Sequence, residues 1–206
     1  MSASDVAIAT IKLEHRSLGT VLHTLLELLK KIVAGHAAPD FALLAVALYY
    51  IDDFPERCHH PKEEEYLFKR MRLRSTEFDA VLERLQSDHA RSEREVSELH
   101  RKLVHYQAGA SDGLRQFQEA VNSYATDMLA HFVQEDDLLA RARSVLTEDD
   151  WALVVQAFAA NDDPLFGNNH RLEFTHLYQR ILLMAPQKFK SGLRDGQMPP
   201  MPPLPL

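Results

Sequence analysis

Two copies of one short motif constrain this chain more than any other feature of its sequence. Each is a histidine followed four residues later by a glutamate, and they are His59-x3-Glu63 and His131-x3-Glu135. Residues four apart share one face of a helix, so each pair points an imidazole and a carboxylate in the same direction. A buried carboxylate is costly unless it is paired or bound to a metal. The motifs therefore predict a metal cage inside a bundle of helices.

Apolar residues recur every three or four positions along four long stretches, which is typical of helices that bury one face. The predicted helices cover about residues 5–34, 39–74, 76–106 and 114–144. Pro39 is expected at the first position of the second helix, and Pro55 and Pro61 should kink or break it. Short connections make consecutive helices antiparallel neighbours. We therefore predict an all-α fold, an antiparallel up-down four-helix bundle.

Each of these helices carries a histidine in or beside its apolar stripe. The four are His15, His59, His89 and His131. Neighbouring histidines lie about equally far from the loop between them, roughly 22 residues in the case of His15 and His59, so all four are expected at one height in the bundle. Glu135 occupies a position where a bundle helix needs an apolar residue, whereas Glu14 falls beside the stripe. Within the run Glu63-Glu64-Glu65, only Glu63 needs to turn inward.

As a set, these motifs resemble the hemerythrin-like (HHE cation-binding) family over about residues 5–144. The residues that carry the resemblance are Leu13-Glu14-His15, His59-His60-x2-Glu63-Glu64, Asp88-His89 and His131-x3-Glu135-Asp136. The resemblance implies a non-haem di-iron centre with two bridging glutamates. The implied ligands are His15, His59, Glu63, His89, His131 and Glu135. Imidazole and carboxylate ligands also suit manganese or zinc.

The sequence departs from the oxygen-carrying members of that family on the third helix. Those proteins have a second histidine four residues from the first, whereas Leu85 and Glu93 occupy these positions around His89. They also end in His-x4-Asp, where this chain has His-x3-Glu. One nitrogen ligand is therefore missing, and either His60 or an exchangeable water replaces it. With His59 as the primary partner of Glu63, His60 is either a direct ligand or a hydrogen-bonding neighbour of the ligands.

The implied function is to bind or sense a small oxidant, which means oxygen, nitric oxide or peroxide, or to handle iron. The alternative is a di-iron redox enzyme that acts on peroxide or a related small oxidant. The expected ligand in either case is a diatomic molecule or peroxide. The residues leave carrier, sensor and enzyme open, although the missing nitrogen ligand argues against simple reversible oxygen carriage.

Charge and composition exclude several other kinds of partner. The net charge is −7, whereas nucleic acids and anionic membranes bind basic patches. No apolar run reaches the length of about 18 residues that a membrane span needs, and no signal peptide is evident at the N-terminus. Cys58 is the only cysteine, so the chain has no intrachain disulfide. These features predict a cytoplasmic protein.

Residues 145–185 are predicted to add two C-terminal helices, the first capped by Thr147 with Asp150 in the capping-box position. We expect them to lie against the bundle or against a partner, either a second copy of the chain or another protein. Residues 186–206 are rich in proline and methionine and predict an extended or disordered tail. The expected organisation is thus a bundle over 1–144, a helical extension over 145–185 and a tail over 186–206.

Overall fold

The computed structural model describes residues 1–167, 169 and 171–184, which contain α-helices and no strand. The prediction of an all-α fold is confirmed. The α-helices of this part of the chain are α1 (Ala3–Val33), α2 (Phe41–Ile51), α3 (His60–Lys62), α4 (Lys69–Arg74), α5 (Asp79–Gln107), α6 (Gly113–Ala142), α7 (Glu148–Ala159) and α8 (Thr175–Met184). Short 3₁₀ turns at Thr76–Phe78 and Leu172–Phe174 precede α5 and α8.

Side-chain caps fix where the first two helices begin. Ser2 and Asp5 form a reciprocal capping box at the start of α1. At the start of α2, the Asp40 side chain accepts a hydrogen bond from the Leu43 N–H group. The prediction that Pro39 is the first residue of this helix is therefore wrong, because Asp40 satisfies a free N–H group of the first turn and so becomes the cap.

Residues 41–74 form one continuous but unevenly wound rod, which we call the segmented helix. Two π-helical segments, Asp52–His59 and Glu63–Phe68, separate α2, α3 and α4. Pro55 lies in the first π segment, where a wider turn accommodates a residue that lacks an N–H group. Pro61 lies in α3, between the two π segments, and the chain does not break at either proline.

The wide turns keep one stripe of buried side chains on one face of the segmented helix. The residues of this stripe are Ile51, Pro55, His59, Glu63, Leu67 and Met71, and all are buried. Four residues of an ordinary α-helix turn through about 400°, so a spacing of four would drift around the rod by about 40° per turn. A π turn contains more residues than an α turn, so the π segments offset this rotation and keep the stripe facing the bundle.

A polar layer divides the apolar core into two clusters. One cluster includes Leu18, Leu48, Val96 and Met128, and the other includes Ile11, Met71, Leu85 and Leu138. Along α1, His15 lies between residues of the two clusters, and His89 does the same along α5. The buried histidines and glutamates therefore form a layer across the middle of the bundle.

The C-terminal extension packs on the bundle. The capping box of Thr147 and Asp150 is confirmed at the start of α7, which packs along α1 and adds Trp151 and Phe158 to one apolar cluster. Leu177 of α8 joins the other cluster. The predicted tail at 186–206 lies outside the described residues. None of the described helices is both long and apolar enough to cross a bilayer.

Candidate metal centre

Seven side chains from four helical elements meet in the polar layer, and they are the seven that the sequence singled out. They are His15, His59, His60, Glu63, His89, His131 and Glu135, all buried. Their ligand atoms form two groups of four, each with all atoms within 4.8 Å of one another. Site A consists of His15, His59, Glu63 and Glu135, and site B consists of His60, Glu63, His89 and His131.

Site A joins α1, the segmented helix and α6. The Nε2 atoms of His15 and His59 are 3.0 Å apart. Glu135 Oε2 lies 3.1 Å from His15 Nε2, and Glu63 Oε1 lies 3.1 Å from His59 Nε2. Two imidazole nitrogens and two carboxylates thus converge on one small volume.

Site B joins the segmented helix, α5 and α6. The Nε2 atoms of His89 and His131 are 3.2 Å apart, and the ring of His60 stacks on that of His89 with centroids 4.1 Å apart. The second oxygen of Glu63, Oε2, lies 3.5 Å from His89 Nε2. Glu135 Oε2, which contacts His15 in site A, is also 3.3 Å from His131 Nε2. Both glutamates therefore link the two sites, and the four histidines predicted at one height do lie together.

Three of these histidines each pair through Nδ1 with a different carboxylate that lies outside the sites. The pairs are His59 with Glu14 at 2.6 Å, His89 with Glu64 at 2.8 Å and His60 with Glu56 at 3.2 Å. A proton on Nδ1 that is donated to a carboxylate leaves Nε2 as the lone-pair atom. This arrangement fixes the ring orientation and the tautomer that a metal ligand requires.

Five of the inward-facing atoms lack a well-directed hydrogen bond. Both carboxylate oxygens of Glu63 and of Glu135, and Nε2 of His60, are buried without a hydrogen-bond partner among the described residues. The Nε2 contacts of these carboxylates are at ion-pair distance but do not have hydrogen-bond geometry. Buried acceptors that face one another in this way fit a cation, which satisfies all of them at once.

The charges of the layer also suit a cation. Burial alone would raise the pKa of Glu135, but His131 and His15 lower that pKa well below its usual range. Burial and the neighbouring His89 hold the pKa of His60 well below its ordinary value, which favours the neutral imidazole. Burial would also lower the pKa of His15, His59 and His131, but the glutamates beside them raise it. Because a metal binds the neutral imidazole, a cation at this layer would displace protons from these histidines.

Residues 6–142 match the family model of the hemerythrin HHE cation binding domain. This stretch is more than half of the 206-residue chain. The chain belongs to the hemerythrin HHE cation-binding family. No curated protein and no solved structure matches in the corresponding comparisons. The matched stretch contains all seven residues of sites A and B and stops before α7.

Sequence reasoning missed the three carboxylates that support the histidines of this hemerythrin-family chain. Glu14 fell beside the predicted stripe, only Glu63 of the run that contains Glu64 was expected to turn inward, and Glu56 was not assigned. One signal was present in the sequence, because Glu56, His60 and Glu64 repeat with a spacing of four. This second stripe runs beside the stripe of His59 and Glu63 and indicates the same wide winding.

Further polar groups hold these carboxylates in turn. Gln86 donates to Glu64 at 3.1 Å and accepts from Arg72 at 2.6 Å. Ser92 donates to Glu56, and the Tyr124 hydroxyl lies 3.3 Å from Ser92 Oγ and 3.4 Å from Glu56. Burial raises the pKa of Glu56 to about 7.

Two openings adjoin the hemerythrin-family centre. A cavity of about 10 Å³ lies beside site B, lined by His89, Ser92, Met128 and His131 among others, and a space of this size holds one water-sized molecule. A surface groove of about 200 Å³ lies over site A, where the Phe132 ring stacks on that of His15 with centroids 4.4 Å apart.

Proposed function

We propose that this chain is a non-haem di-iron protein that binds or senses a small oxidant, namely oxygen, nitric oxide or peroxide. The observation that carries the proposal is the pair of adjoining, fully buried ligand groups that share Glu63. His15 and His59 would hold one ion, His60, His89 and His131 the other, and Glu135 would contribute to both. Bound iron supplies redox chemistry at such a centre, and manganese or zinc suits the same ligands.

The size of the adjoining space supports a small ligand. The cavity beside His89 and His131 has room for about one water-sized molecule, which is the scale of a diatomic gas or peroxide. Met128 and Ser92 line this space together with charged residues such as Asp88, Arg91 and Asp127.

Iron loading of the apo-protein tests the proposal. We expect the chain to bind about two ferrous ions under anaerobic conditions and to change its optical spectrum when oxygen, nitric oxide or peroxide is added. Glu135→Ala should lose at least one ion, because Glu135 contacts a histidine of each site. Asp137→Ala, an exposed acidic position on the same helix, is the matched control and should retain both. Binding of less than one iron per chain, or a spectrum indifferent to all three oxidants, would refute the proposal.

The second candidate is turnover of peroxide by the same centre. The contacts of Ser92 favour it, because this hydroxyl borders the cavity and donates to Glu56, with Tyr124 adjacent. A series of groups that can carry protons therefore leads to the place where a small ligand would bind. Consumption of many equivalents of peroxide per iron-loaded chain, reduced in Ser92→Ala, would support turnover. A spectral change that stops after one equivalent would leave binding as the function.

A further inference from the structure

One polar contact connects the C-terminal extension to site A. Asn161 follows α7, and its Nδ2 group donates to the two carboxylate oxygens of Glu14 at 3.0 and 3.1 Å. Glu14 is only 7% exposed, and its Oε2 atom lies 2.6 Å from His59 Nδ1. The amide thus acts on the carboxylate that orients a histidine of the candidate centre.

We propose that Asn161 is a positioning residue for site A, so that the extension beyond the family domain completes the metal centre. The inference rests on the proposed function, since it assigns to Asn161 an effect on bound metal. Asn161 holds Glu14, and Glu14 holds the ring and the tautomer of His59. Removal of such an outer hydrogen bond to a metal ligand typically costs about 10–100-fold in metal affinity or activity.

Lys62 determines which way the amide faces. The Lys62 ammonium donates to the side-chain oxygen of Asn161, and an ammonium group can only donate. The oxygen of the amide therefore faces Lys62, and the NH₂ group faces Glu14. Lys62 lies in α3, three residues after His59, so these contacts connect the segmented helix, the extension and α1 around the outer side of His59.

The extension covers this side of site A with an aromatic ring as well. The edge of the Phe158 ring meets the His59 imidazole, with centroids 5.8 Å apart. In site B, His60 and His89 are supported by Glu56 and Glu64, which belong to the segmented helix itself. The influence of Asn161 should therefore be confined to one of the two ions.

The test uses the full chain and the variants Asn161→Leu, which keeps the volume and removes the amide, and Asn161→Ala. Asn169→Ala is the matched control, because this amide is exposed in the same connecting segment and donates to Asp162. Ferrous iron affinity is measured by chelator competition, and the two iron environments are followed by Mössbauer spectroscopy. We expect one ion to bind about 10–100-fold more weakly in both Asn161 variants and one quadrupole doublet to shift. The other ion and the control should match the wild-type chain.

A double-mutant cycle with Glu14→Ala separates positioning from a general effect on folding. If Asn161 acts through Glu14, then Glu14→Ala reproduces the loss and addition of Asn161→Leu causes no further loss. Additive losses, equal losses for both ions, or unchanged affinity and spectra in a chain that binds two irons would overturn the inference alone. A wild-type chain that binds no iron would overturn the proposed function and the inference with it.

Discussion

Removal of the metal should lower the stability of the whole bundle, because the candidate centre lies between the two apolar clusters. An ion that binds only the folded chain stabilises it by about 2.7 kcal/mol when its free concentration is 100 times the dissociation constant. Two ions at this level contribute roughly 5 kcal/mol. In a chain of about 200 residues, each kcal/mol shifts the thermal midpoint by about 2–4 °C, so we expect a decrease of about 10–20 °C on chelation.

Calorimetry of the metal-loaded and chelated protein at one concentration measures this difference. The same scan with zinc in place of iron removes any contribution from oxidation. A midpoint that changes by less than about 2 °C, well under the expected shift, would show that the polar layer folds as an ordinary ionic core. The histidines and glutamates would then satisfy one another without a cation.

Glu135→Met provides the matched variant for this experiment. Methionine has a comparable size, but removal of one member of a buried ionic cluster leaves its partners, here His15 and His131, without compensation and typically costs about 3–5 kcal/mol. We therefore expect the chelated variant to unfold earlier than the chelated wild type, and the gain from metal to fall to half or less. A chelated variant that unfolds together with the chelated wild type would mean that Glu135 stabilises the fold only through a bound cation.

Three further outcomes follow from the contacts. His59→Ala and His60→Ala should each lose one iron, from sites A and B respectively, and the two variants should retain different Mössbauer doublets; loss of the same ion in both would contradict the division into two sites. Arg74 lowers the pKa of Asp150 to about 2, so this ion pair stabilises the fold above the unfolded-state pKa and is lost as pH falls from about 4 to 2. Because Arg74 is half exposed, the pair stabilises the fold by about 1–2 kcal/mol. Urea unfolding should therefore show a lower free energy of unfolding for Asp150→Asn than for wild type at about pH 6, and no such difference at about pH 2. Trp151→Ala should destabilise the chain by about 3–5 kcal/mol in one cooperative transition, because this side chain is buried in the core of the bundle.

The sequence predicted α5 and α6 well because each packs on the bundle through one narrow stripe. The spacing of three and four residues predicts the stripe of α5 as Leu82, Leu85, His89, Ser92, Val96, Leu99 and Leu103, and all are buried. The corresponding stripe of α6 is Phe117, Val121, Tyr124, Met128, His131, Glu135 and Leu138, and it is buried as well. A period of 3.6 residues identifies such a stripe without knowledge of the neighbours. The positions of His89, His131 and Glu135 followed directly from it.

α1 was predicted less completely because it is covered on two sides. The bundle packs on its apolar stripe, and α7 packs along it as well. A residue one step away from the stripe, such as Glu14, is therefore buried too. Asn161 had no predicted role in the centre, because its contact with Glu14 joins residues 147 positions apart, which no local pattern encodes.

The winding of the segmented helix explains how two consecutive histidines serve two sites. Adjacent residues point about 100° apart on a helix, and the π turns keep His59 and His60 in two parallel stripes, of which the stripe of His59 also contains the shared Glu63. His60 thereby faces site B, where its ring stacks on that of His89. Leu85, one of the two positions on α5 that lie four residues from His89, is fully buried in an apolar cluster. The change of pitch in the segmented helix thus brings five buried imidazoles to the candidate centre although α5 supplies only one of them.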